Sequence, residues 1–192
     1  MRKLSQVEQN NLVSLLIDAL NDEWVAFLRY QIHASRIRGL YKDPISEHLE
    51  SHADDEKDHA RRLTLHFYSH GLPVDLDIPG FKPGNEVVEM IQLDLEGEVA
   101  AIDRYTKIIE LCENVTELKD TQMLIEDLIV SEIEHQDENA SFIKAKISER
   151  ENAMSGVERV SIASTLLRAA DAADDIGLSE FANKYTKFAS EI

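Results

Sequence analysis

Apolar residues recur along this chain at helical spacing, with no strand-like alternation of useful length. The first stripe runs Leu12, Leu15/Leu16, Ala19/Leu20, Ala26/Phe27, Tyr30, Ala34, Ile37, the mark of one buried helix face. Ser5-x-x-Glu8 ahead of it is a capping box and Gly39 follows it, so a helix is predicted from near Ser5 to just before Gly39. A second opens at Asp43-Pro44, a capping side chain with proline at the first helical position, and stops before Gly71 with Pro73 beyond. A third is predicted from near Asn85 to about Cys112, and a fourth from near Asn114 or Thr116 to about Ser148.

Between the second and third helices, Gly71 to Gly84 is too long and too rich in proline for a tight turn. It has the look of a crossover joining two parallel helices of a bundle. A break falls at Arg150–Gly156, followed by shorter helical stretches over Val157–Ile176 and Ser179–Ile192, with Gly177 between them. Leu166, Ala170, Ala173 and then Phe181, Tyr185, Phe188, Ile192 suit a helical hairpin. The expected fold is all-α: a four-helix bundle with one long crossover in residues 1–150, then a C-terminal hairpin in 151–192 concerned with assembly.

Composition agrees with long helices, since 192 residues include only 7 Gly and 4 Pro. A formal net charge of −17 disfavours direct contact with nucleic acid or an anionic membrane and suits a surface that attracts cations. No run reaches membrane-spanning length. Cys112 is the single cysteine, expected as a small core residue in a reducing compartment. Residues 1–6 lack the apolar core of a secretion signal, so a cytoplasmic location is expected.

The chemistry lies in acids and imidazoles on the apolar faces. Glu56-x-x-His59 falls on the stripe Leu49, Ala53, Glu56, Ala60, Leu63, Phe67, and Glu132-x-x-His135 on Ile125, Leu128/Ile129, Glu132, Gln136, Phe142/Ile143. Glu23 sits on the first stripe, and Glu98 on the third between Leu95 and Ile102. Glu23 precedes Glu56 by 33 residues and Glu98 precedes Glu132 by 34; Tyr30 and Tyr105 each follow their glutamate by seven. Residues three apart on a helix share a face, so each Glu/His pair can serve one ion or two adjacent ions. Four buried carboxylates without a counter-charge are very unfavourable, and two divalent cations offset them. Oxygen and imidazole donors without thiolate suit iron or manganese better than structural zinc. A lone Glu-x-x-His is usually a solvated helix face; two such pairs with two phased glutamates are not.

The stretches LNDEWVAFLRYQIHA, HADDEKDHARRL followed by GLPVDLDI, LDLEGEVAAIDRY and VSEIEHQDENASFI resemble the ferritin-like superfamily, most closely bacterioferritins, over about residues 5–148. The resemblance implies a di-iron centre with Glu23 and Glu98 as terminal ligands, Glu56 and Glu132 bridging, and one histidine, His59 or His135, on each metal. It places Tyr30 near that centre as a hydrogen-bonding or electron-donating group. It further implies a ferroxidase that oxidises Fe(II) with O₂ or H₂O₂, for iron storage or detoxification in a homo-oligomeric shell of twelve or twenty-four subunits. Bacterioferritins bind haem through a methionine just after the second-helix glutamate; Lys57 stands there, so haem is not expected.

Other readings stay open at this point. One is a non-storage di-iron or di-manganese peroxidase or catalase; others are a DNA-protecting mini-ferritin and a non-enzymatic interaction bundle. His48 and His52 are expected to be solvated or capping, with an iron-transit role as the sharper alternative. His66 and His70 suit the negative end of the second helix, and His33 a packing role. Asp54, Asp55 and Asp58, and the cluster Asp171, Asp174, Asp175, are expected on solvated faces. Met90, Met123 and Met154 are expected in ordinary packing.

Overall fold

Ser5 and Gly71 cap helices as the sequence predicts in the computed structural model, which describes residues 2–38, 42–74, 76–149, 156–175 and 179–191, so that Gly39 lies outside it. Helix α1 spans Gln6–Arg36, and its N-cap Ser5 forms the reciprocal capping box with Glu8. Helix α2 spans Lys42–Ser69, so Asp43 lies within its first turn instead of capping it, where an acid still suits the positive end of the helix. It ends in a Schellman motif: the Leu72 N–H donates to Phe67 O at 2.9 Å and the Gly71 N–H to Tyr68 O at 3.3 Å. Gly71 takes φ +63° there, a conformation glycine adopts without the Cβ penalty.

Helix α3 spans Val87–Cys112, α4 Lys119–Glu149, α5 Gly156–Asp175 and α6 Ser179–Ser190. No strand occurs among the described residues. The start of the fourth helix differs from the expectation. Asn114 adopts φ 62°, a left-handed conformation that asparagine tolerates, so it closes α3 instead of capping α4. A 3₁₀ turn, Thr116–Leu118, then leads into α4 at Lys119. The expected break at Arg150–Gly156, apart from Gly156 itself, lies outside the described residues, as do Gly177 and Ile192.

The chain forms two compact units, one of Met1–Pro83 with Asp103–Ser131 and the other of Gly84–Ile102 with Glu132–Ile192. In the first, α1 packs along α2 through the predicted stripes: Leu16, Leu20, Tyr30, Leu49, Ala53, Leu63 and Phe67 are all buried. The crossover is pinned to α1 where the Asp77 N–H donates to Asn21 Oδ1 at 3.0 Å. In the second unit α5 and α6 pack as a hairpin around Leu166, Ala170, Ala173 and Tyr185. Gly84 opens this unit; a Cβ there would stand 2.8 Å from the Met90 backbone nitrogen, so the close approach requires glycine. Cys112 is fully buried, and burial pushes its thiol up to about 11. No helix among the described residues is long and apolar enough to cross a membrane.

Candidate metal centre

Helical phase carries all six predicted ligands into the interior. Glu23, Glu56, Glu98 and Glu132 are 1–2% exposed, and His59 and His135 are 4% exposed. In the first unit, Glu23 comes from α1 and the Glu56/His59 pair from adjacent turns of α2. Their donor atoms lie within 4.8 Å of one another. His59 Nδ1 stands 3.2 Å from Glu23 Oε2 and 3.2 Å from Glu56 Oε2, so Nδ1 is the ring atom turned toward the carboxylates. In the second unit, Glu98 of α3 and the Glu132/His135 pair of α4 form a triad of the same composition, again within 4.8 Å.

Burial, followed by the neighbouring Glu56 carboxylate, raises Glu23 well above the ordinary carboxylate range. Burial that disfavours negative charge in this way is relieved by a proton or by a bound cation. Two carboxylates and an imidazole per triad, without thiolate, fit a divalent iron or manganese ion.

Both tyrosines are buried, and the hydrogen bond to Glu23 involves Tyr105. The Tyr105 hydroxyl donates to Glu23 Oε1, while Tyr30, fully buried, stands edge-on to His52 at 5.1 Å between ring centroids. Sequence reasoning noted Tyr105 only as an echo of Tyr30. The signal was available, because Tyr105 lies on the α3 stripe one helical repeat beyond Glu98.

His52 departs from the solvated reading. It is 3% exposed, because it lies one turn before Glu56 on the same face of α2, and His48 is half-buried with its ring 4.3 Å from that of His52. Asp94, fully buried one turn before Glu98, was not anticipated. Trp24 is half-buried and lines a surface groove with Asp54, Lys57 and Asp58. His33 is buried, Met90 is buried and Met123 is exposed; Met154 lies outside the described residues. Asp54, Asp55, Asp58, Asp171 and Asp174 are exposed as expected.

An all-α chain carrying two such triads defines a protein of the carboxylate-rich metal-binding helical class. A family model described as a ferritin-like domain matches residues 13–147, and the chain belongs to that family. Among solved structures, it is similar to a ferritin-like, diiron-carboxylate protein from Bacillus anthracis str. Ames, at 25% identity and a TM-score of 0.68, over 73% of this chain and 99% of that one. It is also similar to the dodecameric thioferritin of Bacteroides fragilis, a bacterioferritin-related protein, at 19% identity and a TM-score of 0.67, over 76% of this chain and 92% of that one. This second likeness is one of fold. No curated protein sequence matches the chain. Fold, family and triads together support a general iron-binding role.

Proposed function

We propose that this protein is a ferroxidase that takes up two Fe(II) per chain and oxidises them with O₂ or H₂O₂, within a homo-oligomeric shell that stores or detoxifies iron. The observation that carries the proposal is the repeated triad of two buried carboxylates and one imidazole. Under it, Glu23, Glu56, His59, Glu98, Glu132 and His135 would hold the metal pair, with Glu56 and Glu132 in the shared role, Glu23 and Glu98 in the terminal role and one histidine for each ion, as the family resemblance implies. When bound, the ferrous ions supply the electrons that reduce the oxidant. Glutamate side chains suit the task because they can move between bridging and terminal positions as the charge at the centre rises. Tyr105 holds Glu23 in place through its hydroxyl. Tyr30 packs against His52 as a candidate electron donor. The same donor set accepts manganese, so the metal taken up is itself a result to be measured.

The test is to add Fe(II) aerobically in large excess and to measure the iron that co-elutes with the protein by size. Many irons per chain in a large particle support a mineralising shell. Roughly two per chain, the content of one di-metal site, would instead indicate a peroxidase-like or oxidase-like protein without storage. Glu98→Ala and His135→Ala are expected to abolish fast Fe(II) oxidation with helicity and assembly retained. Normal oxidation in both variants would overturn the ligand assignment.

A further inference from the structure

His66, His70 and Asp120 form a second cluster of metal-ligating groups, and the di-iron reading does not use it. His66 lies in the last turn of α2 and His70 just beyond it, four residues apart and so on one helix face. Asp120 lies in the first turn of α4. Their donor atoms fall within 4.8 Å of one another. The two imidazole rings stand 4.3 Å apart between centroids. His70 Nε2 is 2.7 Å from Asp120 Oδ2, and His66 Nε2 is 3.0 Å from Thr121 Oγ1. Both imidazoles therefore turn Nε2 toward the start of α4, where the Asp120 carboxylate waits. His66 lies seven residues beyond His59, about 10 Å farther along the same helix, so this cluster is separate from the Glu23/Glu56/His59 triad.

The surroundings favour an ion with one open coordination position. His66 is half-buried and, with His70 and Thr121, lines a cavity of about 460 Å³ whose other walls include Leu12, Leu16, Leu72 and Val115. Those side chains give the cluster one largely apolar side, with Lys3, Gln9 and Glu117 also lining the cavity. The opposite side is open: the side chains of His70 and Asp120 are 35% and 59% exposed. Two imidazole nitrogens and one carboxylate oxygen, with solvent for a fourth ligand, form the donor set of a three-ligand zinc-type site. The negative end of α2 beside the histidines also favours a cation. Imidazole donors suit zinc-class ions and carboxylates suit harder ions such as Mn(II), so this cluster favours zinc-class ions more than the carboxylate-rich triads do.

We infer that His66, His70 and Asp120 bind one zinc-class divalent cation at the end of α2. The test uses Co(II), a coloured stand-in for zinc, on the full-length protein. A His59→Ala/Glu98→Ala background weakens the triads, so that binding at this second site can be read by itself. In that background one Co(II) per chain is expected, with a visible absorption band. His66→Gln or His70→Gln added to it should weaken binding at least tenfold and remove the band, with far-ultraviolet circular dichroism unchanged. Asp120→Asn, at an exposed position, serves as the second variant should a histidine replacement disturb the fold. Undiminished Co(II) binding in these variants, or no Co(II) bound in the background protein, would overturn the inference. Failure of the di-iron reading shows elsewhere, as unimpaired Fe(II) oxidation in Glu98→Ala with His66 and His70 intact.

Discussion

The Tyr105 hydroxyl donates a hydrogen bond to Oε1 of Glu23, and both side chains are almost wholly buried. The bond ties a residue of α3 to the acid of α1 that burial and Glu56 push toward its neutral form. A hydrogen bond to a charged group contributes about 1.5–3 kcal/mol. Its loss would leave a carboxylate oxygen in the interior with one donor fewer and free to swing. Tyr105→Phe is therefore expected to weaken metal uptake by roughly tenfold, toward the low end of that range, with the fold intact. Stopped-flow Fe(II) oxidation at limiting iron reads this directly. Wild-type rates in the variant would show that the bond only packs Glu23 and does not position it.

Replacing one acid of the first triad by its amide should move stability in opposite directions with and without metal. Glu23 is raised in the folded protein, so its stabilising contribution is present at low pH and is lost as pH rises through the raised value. Glu56 is the second cause of that shift, after burial. Glu56→Gln removes the repulsion, so the metal-free variant should melt above wild type near pH 8 and close to it near pH 5. In a chain of this size each kcal/mol moves Tm by roughly 2–4 °C, within reach of calorimetry. Adding Mn(II) or Fe(II) should reverse the order, because the variant has lost a ligand. A variant that melts below wild type without metal at both pH values would contradict this account.

Much of this was legible because helical periodicity fixes facing. Once Leu49, Ala53, Leu63 and Phe67 define the inner face of α2, Glu56 and Ala60 must lie on it, and both are buried. The Gly71 cap was legible for a similar reason, since few residues other than glycine take that backbone conformation. That Tyr105 reaches Glu23 was not legible, because it depends on the direction of a side chain from another helix. Asn114 misled because asparagine suits both a helix N-cap and a left-handed C-terminal position, and the sequence does not choose between them. His52 and Asp94 were missed because polarity argued for solvent while helical phase argued for the interior, and phase won.

The α1 cap makes a prediction in acid. Hydrogen bonds from the Ser5 backbone, the Ser5 hydroxyl and Arg2 hold Glu8 down from 4.5 to about 2. A depressed carboxylate stabilises the fold above its unfolded value and loses that contribution as pH falls toward its folded value. Glu8→Ala should therefore lower Tm relative to wild type at pH 6, and the gap should narrow between pH 4.5 and 2. Paired melts across that window check the sign. A gap that stays constant into acid would mean that Glu8 acts through packing instead of charge.

The C-terminal hairpin is proposed to govern assembly more than metal chemistry, and its contacts indicate how to test this. Within its unit it is tied to α3 by Gln92 Nε2 donating to Ser161 Oγ at 2.8 Å and by Thr165 Oγ1 donating to Glu96 at 3.1 Å. It is tied to α4 by Gln136 Nε2 donating to Ala169 O at 3.2 Å and by the ion pair of Lys184 with Asp137. Those bonds seat the hairpin on its own chain, yet Val160 and Leu167 of α5 remain 71% and 46% exposed, seven residues apart and hence on one face. Deleting residues 151–192 removes both the seat and that face, so a change in particle size after deletion would be ambiguous between misfolding and lost assembly. Val160→Asp with Leu167→Glu separates the two, since it charges the outward face and leaves the four tying contacts in place. The double variant should keep its melting temperature within a few degrees and its initial rate of Fe(II) oxidation, while eluting as a smaller species. If both it and the truncated chain elute as a particle of unchanged size, assembly does not depend on the hairpin.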